Sequence, residues 1–317
     1  MTDASAKPKL ILDCDPGHDD AVAMVLANHF GDLLGITTVS GNAPLAQTTR
    51  NALVVSEVFG IDVPIVSGAD RPLIAEPKHA PGTHGDSGLD GPDMPEEVRP
   101  PDGDNAVEFI VETVRSNEGC WLVPVGPMTN VALALAVAPD LADRIAGVSF
   151  MGGAAGPGNR TPSAEFNIWH DPHAARMVID RSPRNLMCGI DVTHQVLVTP
   201  DFVDRLREAD GPGAAFAVAM FDFYLGTYAQ VFGEPSGPMH DPCAVAAICL
   251  PGAITTELRH VVVETAGEFT AGRTVVDDRD VGRRVEPPNV EVGRSADAAL
   301  ILESVFEALS AGSGVGV

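Results

Sequence analysis

The stretch Lys9-Leu10-Ile11-Leu12-Asp13-Cys14-Asp15-Pro16-Gly17-His18-Asp19-Asp20 decides how the rest of the chain is read. Its first six residues are a short apolar run that predicts a strand, Pro16-Gly17 marks a turn, and 19–30 has the composition of a helix. The pattern repeats outward. Predicted strands at 33–40, 63–67, 120–125, 146–151 and 186–190 alternate with predicted helices at 45–59, 105–115, 128–138 and 172–179. Such alternation implies an α/β fold: an open, mostly parallel central sheet flanked by helices, a Rossmann-like core that binds ligands beyond the carboxyl ends of its strands.

Strand side chains alternate, so Asp13 and Asp15 leave the first strand on one side and Cys14 on the other. The Pro-Gly turn then brings Asp19 and Asp20 back over the same strand end. Four acids within eight residues repel one another. Helix capping by Asp19 and dipole compensation by Asp20 account for one or two of them. An all-oxygen donor set accounts for more, because it suits a hard divalent cation such as calcium or magnesium rather than zinc.

The whole chain narrows the partners. Its 317 residues, 45% hydrophobic, suffice for one large α/β domain over 1–317, with 1–8 and 311–317 expected as disordered tails. Lysine and arginine number 20 against 44 acids, a formal charge of -24, which disfavours nucleic acid and anionic membranes and favours small molecules and cations. No apolar run approaches the ~20 residues that cross a bilayer, and the polar start lacks a signal-peptide core, so a cytoplasmic protein is expected. Five cysteines, an odd number without CxxC spacing, are expected reduced and buried. Segment 67–101 holds seven prolines and no clear period, the mark of a functional or disordered loop. After 200 the text is mainly helical, at 213–232, 241–250 and 296–309, with strands near 261–264 and 274–276. The glycines between 152 and 158 do not form GxGxxG, and no dinucleotide is implied.

The segment from Leu10 to Ala21 resembles the signature of the inosine-uridine preferring nucleoside hydrolases. The likeness extends to Gly41-Asn42, to Thr83-His84-Gly85-Asp86-Ser87-Gly88-Leu89-Asp90-Gly91 and to Pro124-Val125-Gly126-Pro127-Met128-Thr129-Asn130. It continues through Met151-Gly152-Gly153, Asn159, Thr161 to Asn167, and Gly237-Pro238-Met239-His240-Asp241-Pro242. The resemblance implies calcium-dependent hydrolysis of the N-glycosidic bond of ribonucleosides, giving ribose and a free nucleobase. It implies that Ca2+ is held by Asp15, Asp20, Asp241 and the backbone carbonyl of Val125, with Asp13 behind them. Asp19 would act as general base on the metal-bound water. Asn42, Asn159, Glu165 and Asn167 would hydrogen-bond the ribose, and Met151 would line the sugar pocket. His84 and His240 would lie near the base, with His240 the proton donor to the leaving group. A homodimer or homotetramer is implied as well.

Breaking an N-glycosidic bond builds positive charge on the sugar, which buried carboxylates and a poised water suit. The aromatic stripe in 213–232 is expected to be mostly core, with Tyr224 or Tyr228 left as polar contacts to the base. Histidines 18, 29, 79, 170, 173, 194 and 260 are expected at core or surface positions without a role in the site. Two alternatives stand beside this reading. A strand ending in Asp-x-Asp also opens haloacid-dehalogenase-like phosphohydrolases, although Pro16-Gly17 departs from their pattern, and a non-catalytic calcium-dependent nucleoside-binding protein needs the same ligands.

Overall fold

Strand β1 (Lys9–Cys14) is buried at every residue after Lys9, as a parallel strand covered by helices on both faces should be. Leu10, Leu12 and Cys14 join one core cluster and Ile11 joins the other, so the sheet separates two apolar layers. The computed structural model describes residues 7–279 and 286–311; of the expected tails, 1–6 and 312–317 lie outside the described residues.

In chain order the strands are β1, β2 (Asp32–Thr38), β3 (Ile65–Ser67), β4 (Trp121–Pro124), β5 (Gly147–Met151) and β6 (Asn185–Cys188). They are followed by β7 (Leu197–Val198), β8 (Gly237–Pro238), β9 (Ile254–Arg259), β10 (Val261–Val263), β11 (Thr274–Val276) and β12 (Val290–Ala296). Eight of them form one sheet in the order β3-β2-β1-β4-β5-β6-β12-β9. All neighbours are parallel except β12 and β9. The order reverses beside β1, between β2 and β4, and such a switch point opens a crevice above the strand ends. The register brings Asp13 level with Thr37 of β2 and Pro124 of β4, so three strands end together beneath that crevice.

The sequence reading misses β9 and β12. Ile-Thr-Thr-Glu-Leu-Arg and Val-Glu-Val-Gly-Arg-Ser-Ala carry polar residues on half-exposed positions near the sheet edge, so neither presents the apolar run that marks the inner strands. Segment 67–101 is an ordered loop with one helical turn, Pro81–His84. Ala80 donates its amide to the Asn42 carbonyl at 3.0 Å, and the Asp90 carboxylate accepts the amides of Asp86 and Ser87, each at 3.1 Å. Among the described residues no helix is long and apolar enough to cross a membrane.

Candidate active site

The acids converge because two helices begin at the same place. Helix His18–Phe30 starts straight after the β1 turn and packs against helix His240–Cys249. Asp19 and Asp20 lie in the first turn of one, Asp241 in the first turn of the other, and their carboxylate oxygens lie within 4.8 Å of one another. The positive ends of both helix dipoles face these charges. Asp20, rather than Asp19, closes its helix: its carboxylate accepts the amides of Gly17 at 2.9 Å and Asp15 at 3.0 Å, and the Asn42 side chain at 3.2 Å.

Asp15 stands outside this trio. Its Oδ2 accepts the Asn42 amide at 2.6 Å, while its Oδ1 is buried without a hydrogen-bond partner. A Cβ on Gly126 would lie 2.2 Å from that Oδ1, so the chain after β4 passes Asp15 only as glycine. Asp13 lies behind, accepting from Thr37 at 2.6 Å and Asn130 at 2.8 Å. Burial raises all of these carboxyls. Burial and the charge of Asp20 push Asp19 up to about 8, and burial pushes Asp13 to about 7. Burial raises Asp20, and burial with neighbouring acids takes Asp15 and Asp241 well above the carboxylate range. Repelling carboxylates, an orphaned oxygen and an all-oxygen set fit a hard divalent cation. The Val125 carbonyl at the same place accepts Asn167 Nδ2 at 2.7 Å and keeps a second lone pair.

A cavity of about 650 Å³ opens over the acids. Asp19, Asn42, His84, Val125, Met151, Asn159, Glu165, Asn167, Tyr228, His240 and Asp241 all border it, whereas Asp15 and Asp20 lie behind its lining. On the strand-end side the polar groups also hold the loop itself. Glu165 caps helix Phe166–His170 and accepts the Gly153 amide at 2.9 Å, and Asn159 accepts the Phe166 amide at 3.1 Å. Asn167 Nδ2 also reaches the Met151 carbonyl at 3.2 Å. The loop-satisfying role and the cavity-lining role therefore fall on the same side chains.

The opposite end is aromatic. Helix Pro212–Phe232 supplies Tyr224, buried and donating to the Pro238 carbonyl at 2.8 Å, with the ring of Tyr228 4.7 Å away. His84 is seated on Gly17, where a Cβ would come within 2.6 Å of its Nδ1. Of the histidines set aside in the sequence reading, His194 lines the cavity, whereas His18 is a core residue outside the lining that packs against His84. His18 is fully buried and stacks on His84 at 5.3 Å and on Phe223 at 5.4 Å, and His194 borders the cavity with its ring 5.4 Å from His240. Thr193 Oγ1 lies 2.7 Å from His240 Nδ1. Burial lowers His240 to about 3 and His84 well below the usual histidine range. Thr193 and His194 follow β6 at its carboxyl end, so the strand-end rule was the available signal for them. His29, His79, His170, His173 and His260 do not border the cavity.

The family model for inosine-uridine preferring nucleoside hydrolase matches residues 10–303. A pyrimidine-specific ribonucleoside hydrolase, RihB, of Escherichia coli O157:H7 is 40% identical over 295 residues, covering 92% of this chain and 94% of that protein. The solved plant nucleoside hydrolase PpNRh1 superposes with a TM-score of 0.89 at 30% identity, covering 96% of this chain and 99% of its own. A purine-preferring ribonucleoside hydrolase from Gardnerella vaginalis superposes with a TM-score of 0.87 at 32% identity, with 95% and 98% covered.

Proposed function

The chain belongs to the inosine-uridine preferring nucleoside hydrolase family and is a hydrolase of ribonucleoside N-glycosidic bonds, and from this premise we propose that it is a calcium enzyme whose ion is held by Asp15, Asp20, Asp241 and the Val125 carbonyl. The observation that carries the reading is the meeting of the buried carboxylates of Asp19, Asp20 and Asp241 within 4.8 Å, with Asp19 and Asp241 bordering the cavity; the unpartnered Oδ1 and the family likeness add Asp15. Membership of the family removes the phosphohydrolase and non-catalytic alternatives.

When bound, such a cation offsets the repulsion among the acids, holds the vicinal sugar hydroxyls and lowers the pKa of a water. The chain's own groups carry the steps. Asp19, which borders the cavity, takes one proton from the attacking water as the water oxygen bonds to the anomeric carbon. The bond between that carbon and the base nitrogen breaks, its electron pair goes to the base, and His240 gives the base a proton or a hydrogen bond. Negative charge beneath the sugar stabilises the oxocarbenium character of the transition state. Asn42, Asn159, Glu165 and Asn167 orient the ribose above Met151, and Tyr228 and His84 flank the base. Thr193 supports the His240 role by fixing its ring through Nδ1. The relative at 40% identity is named pyrimidine-specific, which supports uridine and cytidine as first substrates.

The test is release of reducing sugar from uridine, cytidine and inosine, before and after chelation and after calcium is restored. Turnover that survives complete chelation overturns the calcium assignment. A homodimer or homotetramer is proposed from the family likeness, and light scattering on the purified protein decides it.

A further inference from the structure

We propose that His18 is a positioning residue that fixes His84 as its Nδ1–H tautomer, so that His84 meets the nucleobase with the lone pair of Nε2 and selects bases whose facing edge carries an N–H. The inference rests on the reading that the base occupies the histidine end of the cavity.

The argument is one of hydrogen counting. His18 Nε2 lies 2.9 Å from the Asp90 carbonyl oxygen, which has no hydrogen to give, so this nitrogen carries the proton. His18 Nδ1 faces His84 Nδ1 at 3.1 Å, and one proton stands between them. A proton on His18 Nδ1 would make that ring a cation. With Nε2 protonated, the neutral His18 ring offers only a lone pair at Nδ1, and that ring is fully buried and packed among His84, Phe223 and Tyr224. The proton therefore belongs to His84 Nδ1, which donates to His18. His84 Nε2 has no protein partner among the described residues, and His84 borders the cavity.

One contact opposes this arrangement and makes it testable. The His18 backbone amide lies 3.4 Å from the same His84 Nδ1 and could donate to it, which would put the proton of His84 on Nε2. The side-chain contact is the shorter and wins while His18 is a histidine. Gly17 permits both, because a Cβ there would collide with the His84 ring. Replacing His18 by phenylalanine keeps the stack and the amide, removes the acceptor, and hands His84 Nδ1 to the amide. His84 then turns from acceptor to donor at the cavity.

The tautomer is read directly by long-range proton–nitrogen NMR on the wild-type protein labelled in its histidines, with His84 identified by its absence in His84→Phe. The expected result is protonated Nδ1 and bare Nε2 in His84; protonated Nε2 overturns the proposal whether or not the enzyme turns over nucleosides. The second readout is the ratio of kcat/KM for uridine over N3-methyluridine, and for inosine over N1-methylinosine. We expect at least one ratio to fall about tenfold in His18→Phe, the worth of one hydrogen bond to a buried site, and to recover in His18→Asn, whose amide oxygen replaces the lost acceptor. Both ratios unchanged in His18→Phe, with the wild-type tautomer as expected, overturn the selectivity half. Absence of turnover on any nucleoside, with the tautomer as expected, instead counts against the placement of the base.

Discussion

The two ends of the cavity solve different problems with different materials. The floor is built at strand ends and helix first turns, and its acids are buried, mutually repelling and, at Asp15 Oδ1, without a partner. The far wall is built from helix Pro212–Phe232, loop 81–91 and the first residues of the two helices that carry the acids, and several of its rings have one edge tied to the protein. Tyr224 is tied to Pro238, His18 to Asp90 and His240 to Thr193. The floor holds repelling acids close together, and the wall holds rings that are largely tied to the protein. Every ribonucleoside has the same sugar, so on the proposed reading the sheet would meet the constant half of the substrate and the helix and loop the variable half.

The largest effect should come from Asp241→Ala, which removes the only acid in the trio supplied from outside the β1 turn. Turnover is expected to fall by at least ~10³ with calcium binding lost by calorimetry. Next is Asp19→Asn. Asp19 sits in the tight trio while Asp15 does not, so this variant separates base from ligand. The expected outcome is calcium affinity close to wild type with turnover down by about 10³, and weakened calcium binding would move Asp19 into the ligand set. His240→Ala acts at the other end, and uridine turnover is expected to drop about 10² while a nitrophenyl riboside, whose leaving group needs no proton, loses less than about tenfold. Equal losses would deny His240 the acid role. Thr193→Val should cost about tenfold on uridine, the worth of the hydrogen bond that aims His240, and should leave calcium affinity unchanged.

The smallest effect is on stability. Raised carboxyl pKa values mean that the folded, calcium-free protein holds protons the unfolded chain releases, Asp19 up to about 8 and Asp13 to about 7. Their contribution is present below the ordinary carboxyl pKa of 3.8 and is lost as pH rises toward about 8. Chelated protein should therefore melt lower at pH 8 than at pH 5.5, and saturating calcium should restore roughly 3–10 °C at pH 8, the shift a few kcal/mol brings in a domain this size. A calcium shift as large at pH 5.5 as at pH 8 would break the link between the floor's acids and the ion.

The difference between floor and wall also sets what could be read in the sequence. Asp13 to Asp20 is one local run, and the central strands are mostly apolar and buried, so the sheet and the acid cluster are legible from spacing and pattern. β12 is not, because Val290, Val292 and Gly293 alternate with polar residues half exposed at a sheet margin. Nor is the wall, whose histidines come from four separate stretches and look alike one at a time. His18 lies inside the diagnostic run itself, yet its value depends on His84, sixty-six residues on, and on a carbonyl at Asp90. Spacing carries no trace of such pairings.

The docking of helix His240–Cys249 on helix His18–Phe30 bears on how the protein is born. The β1 turn emerges from the ribosome early, but its acids have no Asp241 until more than two hundred further residues have been made. A nascent chain therefore carries the signature without the site. Capture of the proposed calcium should begin only when the helix that starts at His240 closes onto the one that starts at His18, so ion binding would report that the two halves of the site have met.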